Sequence, residues 1–225
     1  MDKIVLKRHD ILLLSEIQEK KFLKNANIYP SHDALPIVHS FFTSMKEKVP
    51  FVIRRSDEPE KSDVVAVGVS LPKRYKGARI RVSGYIPIEY IRQIITPFEI
   101  GLSPTALTTT KQVVAQFSEI AKRWNVQVGF FGSIGMEVVT GSVYRDQQSD
   151  IDILVRGRER ESVLGFIKEC KAFGSLGHLD GEVILKNGYG IKIQELMSSS
   201  PYLLGKSLTD VTVFARKRVY ELIGV

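Results

Sequence analysis

The stretch from Phe130 to Val155, FFGSIGMEVVTGSVYRDQQSDIDILV, constrains the fold more than any other part of the chain. An apolar run ends in Gly132-Ser133, a helical pattern runs to Gly141, and a second apolar run carries Asp150 and Asp152 one residue apart. Alternation along a strand puts Asp150 and Asp152 on one face and Ile151 and Ile153 on the other. One face of this strand is therefore core, and the other holds two carboxylates side by side.

The neighbouring sequence extends the pattern. Val113, Val114, Phe117, Ile120, Ala121 and Trp124 recur at helical spacing and predict an amphipathic helix, with Trp124 as a core residue. After it, VQVGFFG reads as a strand, SIGMEVVTG as a short helix, DIDILV as a strand and ERESVLGFIKECKAF as a helix. LDGEVIL and GIKIQEL read as strands, and LTDVTVFARKRVYELI as a closing helix. Before residue 100 the signals are strand-rich: PFVIRR, DVVAVGVSLP and the alternating ARIRVSGYIP, with a helix between about His32 and Lys48. TPFEIGLSPTALTTT, with Pro97, Gly101 and Pro104, marks a junction. The expected fold class is α/β (α+β): a smaller β-rich unit over residues 1–100, then a domain over residues 101–225 with a mixed sheet flanked by helices.

Composition sets outer limits. With 225 residues, 44% of them hydrophobic, the chain can bury a substantial core. The early apolar run Ile11–Leu14 is too short for a signal peptide or a membrane span, so a cytoplasmic protein is expected. Cys170 is the only cysteine, which leaves no disulfide framework or zinc cluster and predicts a buried, inert thiol. A net charge of +7 favours anionic partners without choosing among them. The densest basic patch, KRYKGARIRV from Lys73 to Val82, reads either as a solvated strand edge or as a phosphate site.

The aspartates carry the chemistry. Parallel carboxylates repel unless a divalent cation lies between them, and Mg²⁺ is bound by one or two carboxylates plus phosphate oxygens and water. Asp150 and Asp152 are thus candidate metal ligands. Gly132 and Ser133 follow a strand and open a helix, where free backbone N–H groups meet an anion; Ser133 can cap that helix or donate its hydroxyl. A third carboxylate is expected on a neighbouring strand, either Asp180 at its entrance or, as the fallback, Glu182. Arg54, Arg55, Lys192 and Lys206 can each neutralise phosphate, although Arg54 and Arg55 alternate faces and at most one points at a given site. His9 is expected to make a structural hydrogen bond and His178 to pack beside Asp180. The segment TGSVYRDQQ, with Tyr144 and Arg145, reads either as a substrate cover or as a surface turn.

Strand, Gly-Ser, helix, SDIDILV and LDGEV resemble the polymerase-beta-like nucleotidyltransferase superfamily over about Pro104 to Leu196. RHDILLL, PFVIRR, VAVGVSLP, GARIRV, GSIGMEVVTG, DGEVIL and GIKIQEL together resemble the phosphoribosyl-dephospho-CoA transferases, the holo-acyl-carrier-protein synthases of malonate decarboxylase, over nearly the whole chain. Many members carry an aromatic-Gln pair where this chain has Met136 and Glu137. The resemblance implies transfer of a prosthetic group from 2'-(5''-triphosphoribosyl)-3'-dephospho-CoA to a serine of an apo acyl carrier protein, with release of pyrophosphate. It implies Mg²⁺ on Asp150 and Asp152, Asp180 as orienting group or base, and the leaving phosphates at Gly132 and Ser133. Alternatives are a citrate lyase carrier protein, RNA or a small molecule as acceptor, or a non-catalytic nucleotide-binding module. No RGFGFV-like stacking signature is present, so nucleic acid is not the expected partner.

Overall fold

The computed structural model describes residues 5–56, 63–100, 108–146, 149–172 and 178–224. The amino-terminal unit comprises β1 (Ile11–Leu13), α1 (Glu16–Lys24), β2 (Asn27–Tyr29), α2 (Leu35–Met45), β3 (Phe51–Ile53), β4 (Val64–Tyr75), β5 (Ala78–Pro87) and β6 (Gln93–Ile95). Its strands form one antiparallel sheet in the order β2-β5-β4-β3-β1-β6. The hairpin of β4 and β5 turns at Lys76 and Gly77, both at positive φ (49° and 80°), which matches the right-handed twist of the strands it joins. Alternation in β5 buries Ile80 and Val82 beneath α1 and α2, where Phe22 and Phe42 meet Phe51 edge-on. Burial of each such phenyl ring contributes roughly 2–3 kcal/mol. The expected helix near His32 corresponds to α2 with a 3-10 turn at each end. Helix α1 gives little sequence signal, because it is mostly charged and buries only Glu19 and Phe22.

The second unit continues with α3 (Pro97–Ile100), α4 (Thr108–Arg123), β7 (Val126–Phe130), α5 (Gly132–Thr140), β8 (Ile151–Gly157) and α6 (Arg160–Ala172). It ends with β9 (Leu179–Ile184), β10 (Gly190–Lys192), α7 (Ile193–Leu196), β11 (Tyr202–Lys206), β12 (Val211–Ala215) and α8 (Arg216–Leu222). The expected junction runs through residues 101–107, which lie outside the described residues. The sheet order is β12-β11-β10-β9-β8-β7, with β8 and β9 parallel and the other pairs antiparallel, a mixed sheet as expected. Two sequence assignments need correction. GIKIQEL bends from β10 into α7 after Lys192, and LTDVTVFARKRVYELI is half strand, because Val211–Ala215 pair residue by residue with β11 before α8 begins.

Helices α4 and α6 cover the sheet face that carries Ile151, Ile153 and Val155. Trp124 packs over Gly165 and donates its indole N–H to Glu169, as suits a core-edge residue. Cys170 is buried there, its thiol pushed up to about 12 by burial and then by Glu169, so it stays protonated and inert. Among the described residues no helix is long and apolar enough to cross a membrane.

The opposite sheet face, with Asp152, Leu154 and Arg156 on β8 and Asp180, Glu182 and Ile184 on β9, is roofed by the amino-terminal unit. Arg8 crosses between the units and grips buried Glu182 through both guanidinium nitrogens, at 2.9 and 3.2 Å. Burial alone would raise the Glu182 carboxyl; the close approach of His9 and the charge and hydrogen bonds of Arg8 hold it at about 2 instead. Arg8→Ala leaves a buried charge with half its compensation, and the expected loss is roughly 3 kcal/mol of unfolding free energy, measured by urea denaturation. A loss below about 1 kcal/mol, the scale of an exposed pair, would show that the bridge is not a structural strut.

Candidate active site

Helix α5 starts directly after β7, so its amino-terminal end opens at the carboxyl end of that strand. Phe131 occupies the N-cap position and supplies no side-chain cap, which leaves first-turn N–H groups for an outside acceptor. Ser133 therefore does not cap the helix; it sits within the first turn, and its hydroxyl has no hydrogen-bond partner among the described residues. Gly132 has φ of 58°, and a Cβ on it would lie 1.9 Å from Asp152 Oδ2. The close approach that requires glycine is thus made by a carboxylate of the protein.

Asp150 precedes β8 and Asp152 lies within it, and the parallel register aligns Asp152 with Asp180 on β9. Burial, followed by the charges of Asp180 and Asp150, pushes the Asp152 carboxyl up to about 6. This cluster is short of positive charge, and its hard oxygen donors suit a divalent cation of the Mg²⁺ type. Among the described residues no three metal-binding side chains already enclose an ion. Asp150 and Asp152 fit a site of the other kind, in which two carboxylates are completed by phosphate oxygens and water.

Asp180 accepts from the Gly181 N–H at 2.8 Å and from Lys192 Nζ at 3.3 Å. Glu182 is occupied by Arg8, so Asp180 is the acid left beside Asp152. His9 approaches Glu182 at 3.6 Å, beyond hydrogen-bond range, and stacks on Phe131, so ring packing stands where a structural side-chain hydrogen bond was expected. His178 Nδ1 lies 3.5 Å from Asp150 Oδ1.

The segment before β8 is held from both sides. Glu137, buried inside α5, accepts from Thr110 and from the backbone N–H groups of Tyr144 and Arg145. Arg145 in turn donates to the Asp150 carbonyl at 3.0 Å, Arg79 to the Tyr144 carbonyl at 3.0 Å, and Arg74 to Asp146 at 3.0 Å. A charged residue within the apolar helix IGMEVV is the sequence signal that could have marked Glu137 as this anchor. Residues 147 and 148 of the segment lie outside the described residues.

A cavity of about 830 Å³ has Gly132, Ser133, Asp150 and Asp152 on one wall and Arg54, Arg79 and Arg81 on the other. Within the basic patch at Lys73 to Val82, β5 pairs with β4 and, from Arg81 onward, also with β2, and Arg79 and Arg81 line the same cavity as the aspartates. Arg54 lines the cavity and exposed Arg55 does not, as alternating faces require. Lys206 is not brought to the aspartates. Pairing of Lys206 with Gly190 sets it at the far end of β10 from Lys192, on a second cavity.

Paired aspartates facing an open helix terminus, under a roof of arginines, define a transferase of phosphate-bearing groups. Residues 7–97 match the family model Phosphoribosyl-dephospho-CoA transferase MdcG N-terminal domain, and residues 102–217 match the corresponding MdcG C-terminal domain. The chain belongs to the phosphoribosyl-dephospho-CoA transferase family. A phosphoribosyl-dephospho-CoA transferase of Bradyrhizobium diazoefficiens is 25% identical over 167 residues, covering 73% of each chain. One from Xanthomonas euvesicatoria pv. vesicatoria is 22% identical over 177 residues, covering 77% of this chain and 82% of its own. No solved structure matches the chain.

Proposed function

We propose that the protein transfers the phosphoribosyl-dephospho-CoA group from 2'-(5''-triphosphoribosyl)-3'-dephospho-CoA to a serine of the apo acyl carrier protein of malonate decarboxylase, in the cytoplasm, and releases pyrophosphate. The observation that carries the reading is the alignment of Asp152 with Asp180, beside Asp150 and against the backbone of Gly132. Asp150 and Asp152 would hold Mg²⁺, which would supply the positive charge that an in-line phosphoryl displacement needs. The serine oxygen attacks the α-phosphorus, the bond to the bridging oxygen of the β-phosphate breaks, and the serine proton passes to the Asp180 carboxylate. Lys192 orients that carboxylate. The first turn of α5 receives the leaving pyrophosphate, with the Ser133 hydroxyl as a donor, while Arg54, Arg79 and Arg81 offset its charge from the roof.

The test is mass spectrometry of apo carrier protein after incubation with the protein, Mg²⁺ and the triphosphoribosyl substrate. The expected product is a carrier protein heavier by one phosphoribosyl-dephospho-CoA group on serine, with one pyrophosphate formed per transfer. Modification of a citrate lyase carrier protein alone would move the acceptor assignment. Binding of the substrate without any transfer would overturn the catalytic reading.

A further inference from the structure

The sheet face that carries the aspartates supports a second cavity, of about 610 Å³, farther along the same strands. Asp152 lines the first cavity, while Leu154 and Arg156 line the second, so the two lie one and two strand repeats apart on β8. Where they adjoin, His9, which lines the second cavity, stacks on Phe131, which lines the first, with ring centroids 4.1 Å apart. The Arg8–Glu182 pair lines the second cavity alone. His9 is held at φ of 73°, a region that few side chains other than glycine adopt, so the surrounding packing fixes this wall at a conformational cost.

The two cavities differ in chemistry. The first is ringed by arginines, aspartates and serines, a setting for phosphates. The second has apolar walls of Leu6, Phe98, Leu154, Ile184 and Leu208, with the Arg156 guanidinium lying over the Phe98 ring at 4.1 Å. Its charged groups are unbalanced. Lys7, Arg8, Arg156, Lys186 and Lys206 face only two carboxylates, and Glu182 is consumed by Arg8 while Asp10 accepts from the Lys7 backbone. Lys186 and Lys206 have no ion-pair partner among the described residues. Protein interiors are close-packed, so an apolar space of this size under a cationic rim has the form of a ligand site.

We infer that this second cavity is the subsite for the pantetheine end of the substrate's dephospho-CoA arm, a chain of methylenes, a gem-dimethyl group and two amides joined through a diphosphate to adenosine, with Lys186 and Lys206 on that diphosphate. The inference rests on the transferase reading, since it divides one extended substrate between two chambers: the reacting triphosphate over the aspartates, the phosphorylated arm past the His9–Phe131 pair.

The probes are 4'-phosphopantetheine for the second cavity and Mg²⁺ tripolyphosphate for the first, titrated calorimetrically into the full chain. In a Lys186→Gln/Lys206→Gln variant, loss of charge-assisted contacts should weaken phosphopantetheine about tenfold. Tripolyphosphate affinity should stay within about twofold, because neither lysine lines the first cavity. Both substitutions are on partly or fully exposed side chains, and a thermal melt checks that the variant stays folded. Absence of phosphopantetheine binding to the wild type at millimolar concentration would overturn the inference. So would a loss of phosphopantetheine binding in Arg81→Gln with none in the lysine variant, which would seat the arm over the aspartates. Carrier-protein modification that proceeds with an unchanged KM for the triphosphoribosyl substrate in the lysine variant would refute the subsite and leave the transferase reading intact. The expected phosphopantetheine response without any carrier modification would do the reverse.

Discussion

Asp152→Asn is expected to lower the rate of carrier-protein modification by about three orders of magnitude or more, because an amide keeps the shape of the side chain and removes the charge that holds the cation. The same substitution should stabilise the metal-free fold at neutral pH. Burial and the neighbouring Asp180 and Asp150 set the folded Asp152 carboxyl at about 6, above its ordinary value of 3.8. A raised carboxyl favours the folded state fully only below its unfolded value, and this contribution is lost as pH rises through about 6. Asparagine never ionises. The metal-free variant should therefore melt above the metal-free wild type at pH 7.5, with the gap closing below pH 4. Retention of near wild-type activity, or a lower melting temperature at pH 7.5, would contradict the clamp.

Gly132→Ala is the second large effect. The new methyl group would fall 1.9 Å from Asp152 Oδ2 and 2.7 Å from its Cγ, on a backbone at φ of 58°. The conformation alone costs about 1–2 kcal/mol for an alanine. The carboxylate must also move by an ångström or more, and displacement of that order at a reacting centre costs about 100-fold in rate. Gly141→Ala is the control, since φ there is 70° but open space surrounds the added methyl. It should lose stability and keep its rate. Equal loss of rate in the two variants would mean that helix α5 as a whole, and not the contact with Asp152, sets activity.

The two metal-ligand candidates were legible because strand alternation is local: SDIDILV sets Asp150 and Asp152 on one face whatever the rest of the chain does. The third carboxylate was not. Asp180 and Glu182 are two apart on one face, and what separates them is Arg8, 174 residues from Glu182, an ion pair that no periodicity announces. Lys206 stands apart from the aspartates for a related reason, since its position depends on pairing with Gly190 and not on its own strand. The closing segment misled because Leu208, Val211, Phe214 and Val219 mimic helical spacing while the pairing of Val211–Ala215 with β11 outweighs it. Alternation along β5 puts Arg79 and Arg81 on one face, yet the sequence offered no sign that the hairpin folds over the aspartates.

The Arg8–Glu182 bridge also sets an order of events during synthesis. Residues 7–97 leave the ribosome first and contain every strand of their own sheet, so that sheet can assemble early. Arg8 nonetheless has no counter-ion until Glu182 has emerged. The wall of the second cavity that this pair forms is therefore completed only once both units have been made, and a chain cut short before Glu182 leaves Arg8 without its buried partner.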